Sequence, residues 1–155
     1  MQSIGIIRSP FTELANMPIQ PKGAAGAEGT IIVDPKFERG LDDLEGFSHI
    51  YLLYLFHKAD RTELTVVPFM DDSPRGVFST RSPLRPGHIG LSIVELLGRQ
   101  GNELKVRGID ILDQTPLLDI KPYIAEFDEV KESRSGWLCA SEEEVRKKRS
   151  DTRFT

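Results

Sequence analysis

Cysteine is almost absent: Cys139 is the single thiol in 155 residues, so no internal disulfide can form and a reducing cytoplasm is the expected compartment. Long apolar runs are missing too; nothing approaches the roughly 18 consecutive apolar residues a membrane span requires. The start, Met1-Gln2-Ser3-Ile4, has neither the basic opening nor the apolar stretch of a signal peptide. The three histidines, His49, His57 and His88, show no metal-ligand spacing, and no metal is expected. No Gly-x-Ser-x-Gly elbow occurs, and Cys139 has no evident catalytic partner, which leaves nucleophilic hydrolysis without support. The glycine-rich stretch from Gly23 to Gly29 runs into a strand rather than a helix and lacks the Lys-Ser/Thr ending, so it is neither a Walker nor a Rossmann phosphate loop. The net charge of −4 and a pI of about 5.4 do not mark a nucleic-acid binder by themselves, although a local basic patch can still meet phosphate.

What is present is short and β-flavoured. Ile4 to Ile7, Thr30 to Val33, Ile50 to Phe56, Leu64 to Val67, Ile89 to Leu97 and Leu104 to Ile109 read as strands, most of them separated by Gly, Pro, Asp or Asn clusters. Two helices are expected. In the first, Asp34 would cap, Pro35 would sit at the first position, Phe37, Leu41 and Leu44 recur at helical spacing and Gly46 ends it. The second starts near Ser141, with Glu144 completing a capping box and three favourable i, i+4 pairs, Glu142/Arg146, Glu143/Lys147 and Glu144/Lys148. Val145 is its one apolar residue, so it is expected as a solvated appendage. Helical patterns between successive strands are missing, which excludes a doubly wound sheet. The expected fold is mainly β: a small β-barrel with one or two short helices, a domain over 1–128 and a C-terminal extension over 129–155.

Two segments carry candidate chemistry. From Ser73 to Val94 there is no acidic residue, but Arg75, Arg81, Arg85 and His88 are set among Pro74, Pro83, Pro86, Gly76, Gly87 and Gly90. This is either a shaped loop presenting guanidinium groups to phosphate or carboxylate, or an exposed basic connection between strands. From Gly108 to Pro116 a strand ends and turns, and Asp110, Asp113 and Asp119 could orient a ligand or accept a proton. Turn chemistry explains the same aspartates, because Asp side chains bond their own backbone.

These residues, taken in order, closely resemble the TsaA-like, or TrmO-type, tRNA methyltransferases over roughly residues 3 to 128. The motifs are Ile4 to Phe11, Gly40-Leu41 and Gly46 to His49, Phe56-His57-Lys58, Arg75 to Pro83 with Arg85-Pro86 and Ile89 to Ser92, then Asp113, Thr115-Pro116 and Asp119 to Tyr123. The resemblance implies a β-barrel methyltransferase, a homodimer with S-adenosylmethionine near the subunit interface. The implied substrate is tRNA carrying threonylcarbamoyladenosine at position 37, beside the anticodon, methylated on the exocyclic nitrogen. By motif match it puts cofactor contacts on Pro18, Ile19, Gln20, His57, Lys58, Arg81, Leu91, Gly108, Ile109, Asp110, Ile111 and Leu112. Members commonly have Asn-Pro where Gly87-His88 stands and Gly where Gln114 stands, and some carry an additional C-terminal domain.

A sulfonium already makes its methyl a good electrophile, so such a protein mainly aligns the reactants and excludes water. The implied nitrogen shares its lone pair with a carbonyl, so a proton acceptor is expected, and Asp110 or Asp113 is the candidate. Arg81 has three open roles: clamping the cofactor's carboxylate, meeting the acidic group on the tRNA, or a structural one. Arg75, Arg85, Lys121 and Tyr123 are candidate tRNA contacts; the basic stretch Arg146 to Arg149 either joins them or belongs to a salt-bridged surface helix. Two competing readings are a non-catalytic RNA-binding barrel, with Tyr123 and Trp137 as the available stacking rings, and a cofactor sensor without turnover.

Overall fold

The computed structural model describes residues 1–19, 21–138 and 142–154. Gln20, Cys139 and the expected cap Ser141 lie outside the described residues. The strands are β1 (Gly5–Arg8), β2 (Glu28–Val33), β3 (His49–Leu55), β4 (Thr65–Val66), β5 (Arg75–Gly76), β6 (Ile89–Gln100), β7 (Glu103–Arg107) and β8 (Thr115–Pro122). Six of them close into a barrel in the order β1-β2-β7-β6-β3-β8, with every pair antiparallel. β1 closes it, pairing Ile7 with Ile31 on one side and with Thr115 on the other. β4 and β5 form a separate two-stranded ribbon.

The interior follows from the two-residue period of strands. Ile7, Ile31, Val33, Ile50, Leu52, Tyr54, Val94, Leu104, Val106 and Leu117 point inward and are at most 6% exposed. All six expected strands are present. β5 and β8 are additions: the two-residue β5 lies in the segment read as a loop, and the turn residues before β8 with its Asp-x-Lys-Pro ending masked its alternation. β7 stops at Arg107, short of the expected Ile109, because Gly108 adopts a left-handed φ of 84°.

The first expected helix is not an α-helix. Pro35–Leu41 and Leu44–Gly46 are 3₁₀ turns, Asp34 makes no side-chain cap bond, and Asp43 breaks the run at φ 69°. Arg99 explains the irregular path: it bonds the Glu38 carbonyl and pairs with Asp42 at 3.2 Å. Leu41 is buried and Phe37 and Leu44 pack on the barrel core, so the apolar spacing served packing rather than helix. Two short helices occur late, α1 (Ala125–Asp128) and α2 (Glu142–Lys147).

The C-terminal segment corrects another expectation. The surface of α2 is charged, with Lys147 paired to Glu143, but the segment is not a solvated appendage. α2 packs on the 3₁₀ turn Pro21–Ala24, and the chain beyond it returns to the fold through an antiparallel bridge between Arg149 and Pro18. The anchors Ser150, Arg153 and Phe154 follow the helix, outside the window its periodicity reported on.

Gln114 holds a left-handed φ of 64°, where a Cβ is strained. Gln114→Gly is expected to raise stability by about 1 kcal/mol, read as a thermal shift of roughly 2–4 °C. No shift, or a drop, would show the position to be unstrained.

Candidate functional site

At the end of the barrel where β3 finishes and β8 begins, a cavity of about 370 Å³ opens. That lies within the roughly 300–1,000 Å³ range of ligand sites. Six parts of the chain converge on it, the last being Ser150, Asp151 and Phe154 near the C-terminus. Leu14, Met17, Pro18 and Ile19 come from the loop after β1. Phe56 to Ala59 follow β3, and Ile89 to Leu91 open β6. Asp110, Ile111 and Leu112 come from the turn between β7 and β8, with Thr115 beside them. Phe69, Thr80, Arg81, Pro83 and Arg85 come from the ribbon and the acid-free loop.

The chemistry centres on Asp110. Its Oδ1 accepts a hydrogen bond from Ser92 Oγ at 2.7 Å, and Ser92 Oγ is 3.0 Å from the Tyr54 hydroxyl. Ser92 has one proton, committed to the carboxylate, so Tyr54 must donate to Ser92. Burial pushes the Tyr54 phenol far up, keeping that proton in place. Burial also pushes Asp110 up to about 6, against the opposing pull of Ser92's hydrogen bond, its own backbone N–H and the Arg81 charge. Tyr54 fits only because residue 90 is glycine: a Cβ there would stand 2.3 Å from the tyrosine ring. Tyr54, Gly90 and Ser92 sit at inward positions of the neighbouring strands β3 and β6, with Tyr54 directly paired to Gly90. Polar residues at inward positions were the available signal for them, hidden by reading both segments as uniformly apolar.

The loop is shaped by its own hydroxyls. Thr80 Oγ1 donates to the Val77 carbonyl, the Ser82 and Leu84 N–H groups donate to the Thr80 and Ser82 hydroxyls, and Arg85 Nη1 donates to the Thr80 carbonyl at 2.9 Å. His88, at φ 48°, is tied to the Pro83 carbonyl at 2.8 Å. His57 borders the cavity with Nδ1 3.3 Å from Thr115 Oγ1. Burial first, and Lys58 second, push its pKa down against the opposing pull of the Leu55 backbone hydrogen bond.

Other expected site residues fall elsewhere. Asp113 is not in the cavity wall. Its Oδ1 accepts the Ser9 N–H at 2.9 Å and pairs with Arg8 at 3.3 Å, locking β1 to the turn. Partial burial raises Asp113, but those bonds, the Gln114 side chain and the Arg8 charge outweigh it and hold the carboxyl low. Gly108 and Ile109 shape the turn from behind: the Gly108 N–H bonds Ala27, and Ile109 is fully buried. Arg75 is held by Asp71 at 2.6 Å and lies over Trp137. The Trp137 indole N–H donates to Ser79, so this ring is engaged within the fold. Lys121 pairs with Asp119, and Tyr123 packs edge-on against Tyr51. At about 3.3 Å per strand residue, Lys121 lies roughly 20 Å along β8 from Thr115 and Tyr123, just past the strand's end, about 26 Å, away from this cavity within one subunit.

The comparisons with known proteins agree with this architecture. The protein-family model "tRNA-methyltransferase O N-terminal domain" matches residues 6–129. The chain belongs to that family. Among the relatives of this TrmO-type chain is a "probable S-adenosyl-L-methionine-binding protein" of Pyrococcus abyssi, 52% identical, covering 97% of this chain and 82% of its own length. A "tRNA (adenine(37)-N6)-methyltransferase" of Homo sapiens is 36% identical over 82% of this chain, which spans 30% of the human protein. A crystal structure of TrmO from Pseudomonas aeruginosa superposes with a TM-score of 0.73 at 42% identity, covering 87% of this chain and 60% of that one.

Asp110's raised pKa has a signed consequence. Between about pH 4 and 6 the folded state binds a proton that the unfolded state has lost, so this group favours folding at low pH and opposes it above pH 6. Asp110→Asn is expected to stabilise the free protein above pH 7, by on the order of 2–3 kcal/mol, with the gain vanishing below pH 4. Denaturant melts at pH 4 and 7.5 read this out; an equal effect at both would contradict a buried, strained carboxylate.

Proposed function

We propose that this chain is an S-adenosylmethionine-dependent methyltransferase acting on the exocyclic nitrogen of adenosine 37 in tRNA, in its threonylcarbamoylated form. The observation that carries the reading is the cavity itself, where a guanidinium from the acid-free loop and a buried carboxylate from the aspartate turn meet at one barrel end. Family membership and the printed names of the relatives supply the reaction class.

The residues present fit the adenosyl cofactor. Its parts are a purine, a sulfonium cation and an amino-acid zwitterion; the cavity offers aromatic walls from Phe56 and Phe69, the Asp110 carboxylate and the Arg81 guanidinium. Arg81 is assigned to the ligand's carboxylate, with Lys58, His57, Leu91 and the backbone of Pro18, Ile19, Ile111 and Leu112 forming the remaining contacts. Bound there, the cofactor supplies an activated methyl group. Asp110, ionised, takes the proton lost by the adenine nitrogen, while Ser92 and Tyr54 hold its orientation. The apolar walls exclude water from the reacting atoms. Arg85, beside Arg81, is assigned to the tRNA or its acidic modification; Arg75, Lys121 and Tyr123 are assigned to support outside the cavity.

The chain is read as a barrel unit over 1–128 with an extension over 129–155, working in the cytoplasm as a homodimer. In support of the dimer, Leu91 and Ile89 are 52% and 38% exposed on the outer face of β6, pair with Leu53 and Leu55 of β3, and border the cavity. Leu91→Glu is expected to convert the dimer to monomer in sedimentation; a wild-type monomer at micromolar concentration contradicts the assembly.

The decisive assay is methyl transfer to threonylcarbamoylated and unmodified tRNA, followed by mass spectrometry of anticodon-loop nucleosides. The reading predicts a methylated product with the first. Cofactor binding without product supports the sensor, and RNA binding without cofactor supports the non-catalytic barrel. Asp110→Asn is expected to lower kcat by about 10²–10⁴-fold. In the wild type, kcat/KM should rise with pH through an apparent pKa near 6, since the base must be ionised. A pH-independent kcat/KM from 5 to 8 would remove Asp110 from this role. Calorimetry of Arg81→Ala without tRNA should show at least a tenfold weaker cofactor; unchanged affinity reassigns Arg81.

A further inference from the structure

The segment after α2 lies beyond residue 129, where the family match stops, yet it forms part of the cavity. Ser150, Asp151 and Phe154 line it. Ser150 ties this segment to the loop after β1 with four hydrogen bonds: Asn16 N–H and Met17 N–H donate to its carbonyl and hydroxyl, and its own N–H and hydroxyl donate to Met17 and Leu14. Three and four residues on, at Arg153 and Phe154, the segment grips another wall. Arg153 Nη1 donates to the Pro68 carbonyl at 2.8 Å and its guanidinium lies 5.0 Å from the Phe69 ring centre. Phe154 meets Phe69 edge to face at 4.9 Å and packs on the separate buried cluster of Val66, Val77 and Leu84. The strap therefore joins two walls that share no strand pairing among the described residues, and both of them line the cavity.

We propose that residues 149–154 are a purine-binding strap: they close one side of the cavity and present the Phe154–Phe69 pair to the adenine of the bound nucleoside. The proposal rests on the reading that this cavity takes an adenosyl cofactor. The division of charge supports it. Arg81, Lys58 and Asp110 all come from other walls and suit the zwitterion and sulfonium. The strap's one acid in the cavity, Asp151, is neutralised by Arg153 at 2.9 Å, leaving this wall aromatic and suited to an uncharged ring.

The test compares two probes by calorimetry, S-adenosylmethionine and methylthioadenosine, the latter keeping the purine but lacking the amino acid. Phe154→Ala should weaken both by a similar factor of at least about fivefold, as loss of a base–aromatic stack does. Arg81→Ala should weaken only S-adenosylmethionine. Phe154→Leu, which keeps the apolar packing on Val66, Val77 and Leu84, should show the same loss and stands in if the alanine variant does not fold. In wild-type protein either probe should slow hydrogen exchange at the Asn16, Met17 and Ser150 amides. Wild-type binding with unchanged affinities in both Phe154 variants and unchanged amide exchange overturns the strap alone. A wild-type chain that binds neither probe overturns the cofactor reading, and the strap with it.

Discussion

The hydrogen-bonded line from Tyr54 through Ser92 to Asp110 is the constraint on which the rest of the site depends. It begins on a buried phenol at the barrel end and ends on a carboxylate in the cavity wall. Each member needs the next: Tyr54 without Ser92 is a buried polar group with no partner, and Asp110 without Ser92 loses the bond that favours its charge. Gly90 gives up its side chain so that the tyrosine ring can occupy the barrel end. Fold and chemistry therefore share residues, and the barrel cannot be repacked at this end without moving the carboxylate.

Around this line the cavity is assembled from pieces far apart in sequence. The acid-free loop is rigid for local reasons, since its threonine, serine and arginine side chains satisfy its own backbone. Arg81 and Arg85 meet the ligand space because the β4–β5 ribbon and its small core set the loop beside the barrel end. Asp110 supplies the one buried negative charge opposite them, and Asp113, three residues on, spends its charge on locking β1 to the turn.

Much of this was legible in the sequence. The strands were visible because short β-branched runs alternate with Gly, Pro and Asp, and the barrel because helical patterns between them are missing. The acid-free loop and the Gly108 to Leu112 turn stood out by composition, and the family motifs joined them. Three things were not legible. The helical spacing of Phe37, Leu41 and Leu44 looked like an α-helix because periodicity cannot see Arg99 arriving from another strand to hold an irregular turn. β8 was obscured by its own aspartate, lysine and prolines. The strap was invisible because its anchors, Ser150, Arg153 and Phe154, make contacts 70 or more residues away in sequence, and nothing local in them points to a cavity.

The central claim is that Asp110 is a buried carboxylate sharing a cavity with a cationic cofactor. Carbon-13 NMR of the aspartate carboxyls, titrated alone and with S-adenosylmethionine or S-adenosylhomocysteine, tests it most directly. The account predicts a midpoint near 6 for Asp110 in the free protein, a clear fall with the sulfonium ligand, and a smaller one with the neutral thioether. An Asp110 midpoint in the ordinary carboxylate range, or one that neither ligand moves, would contradict it.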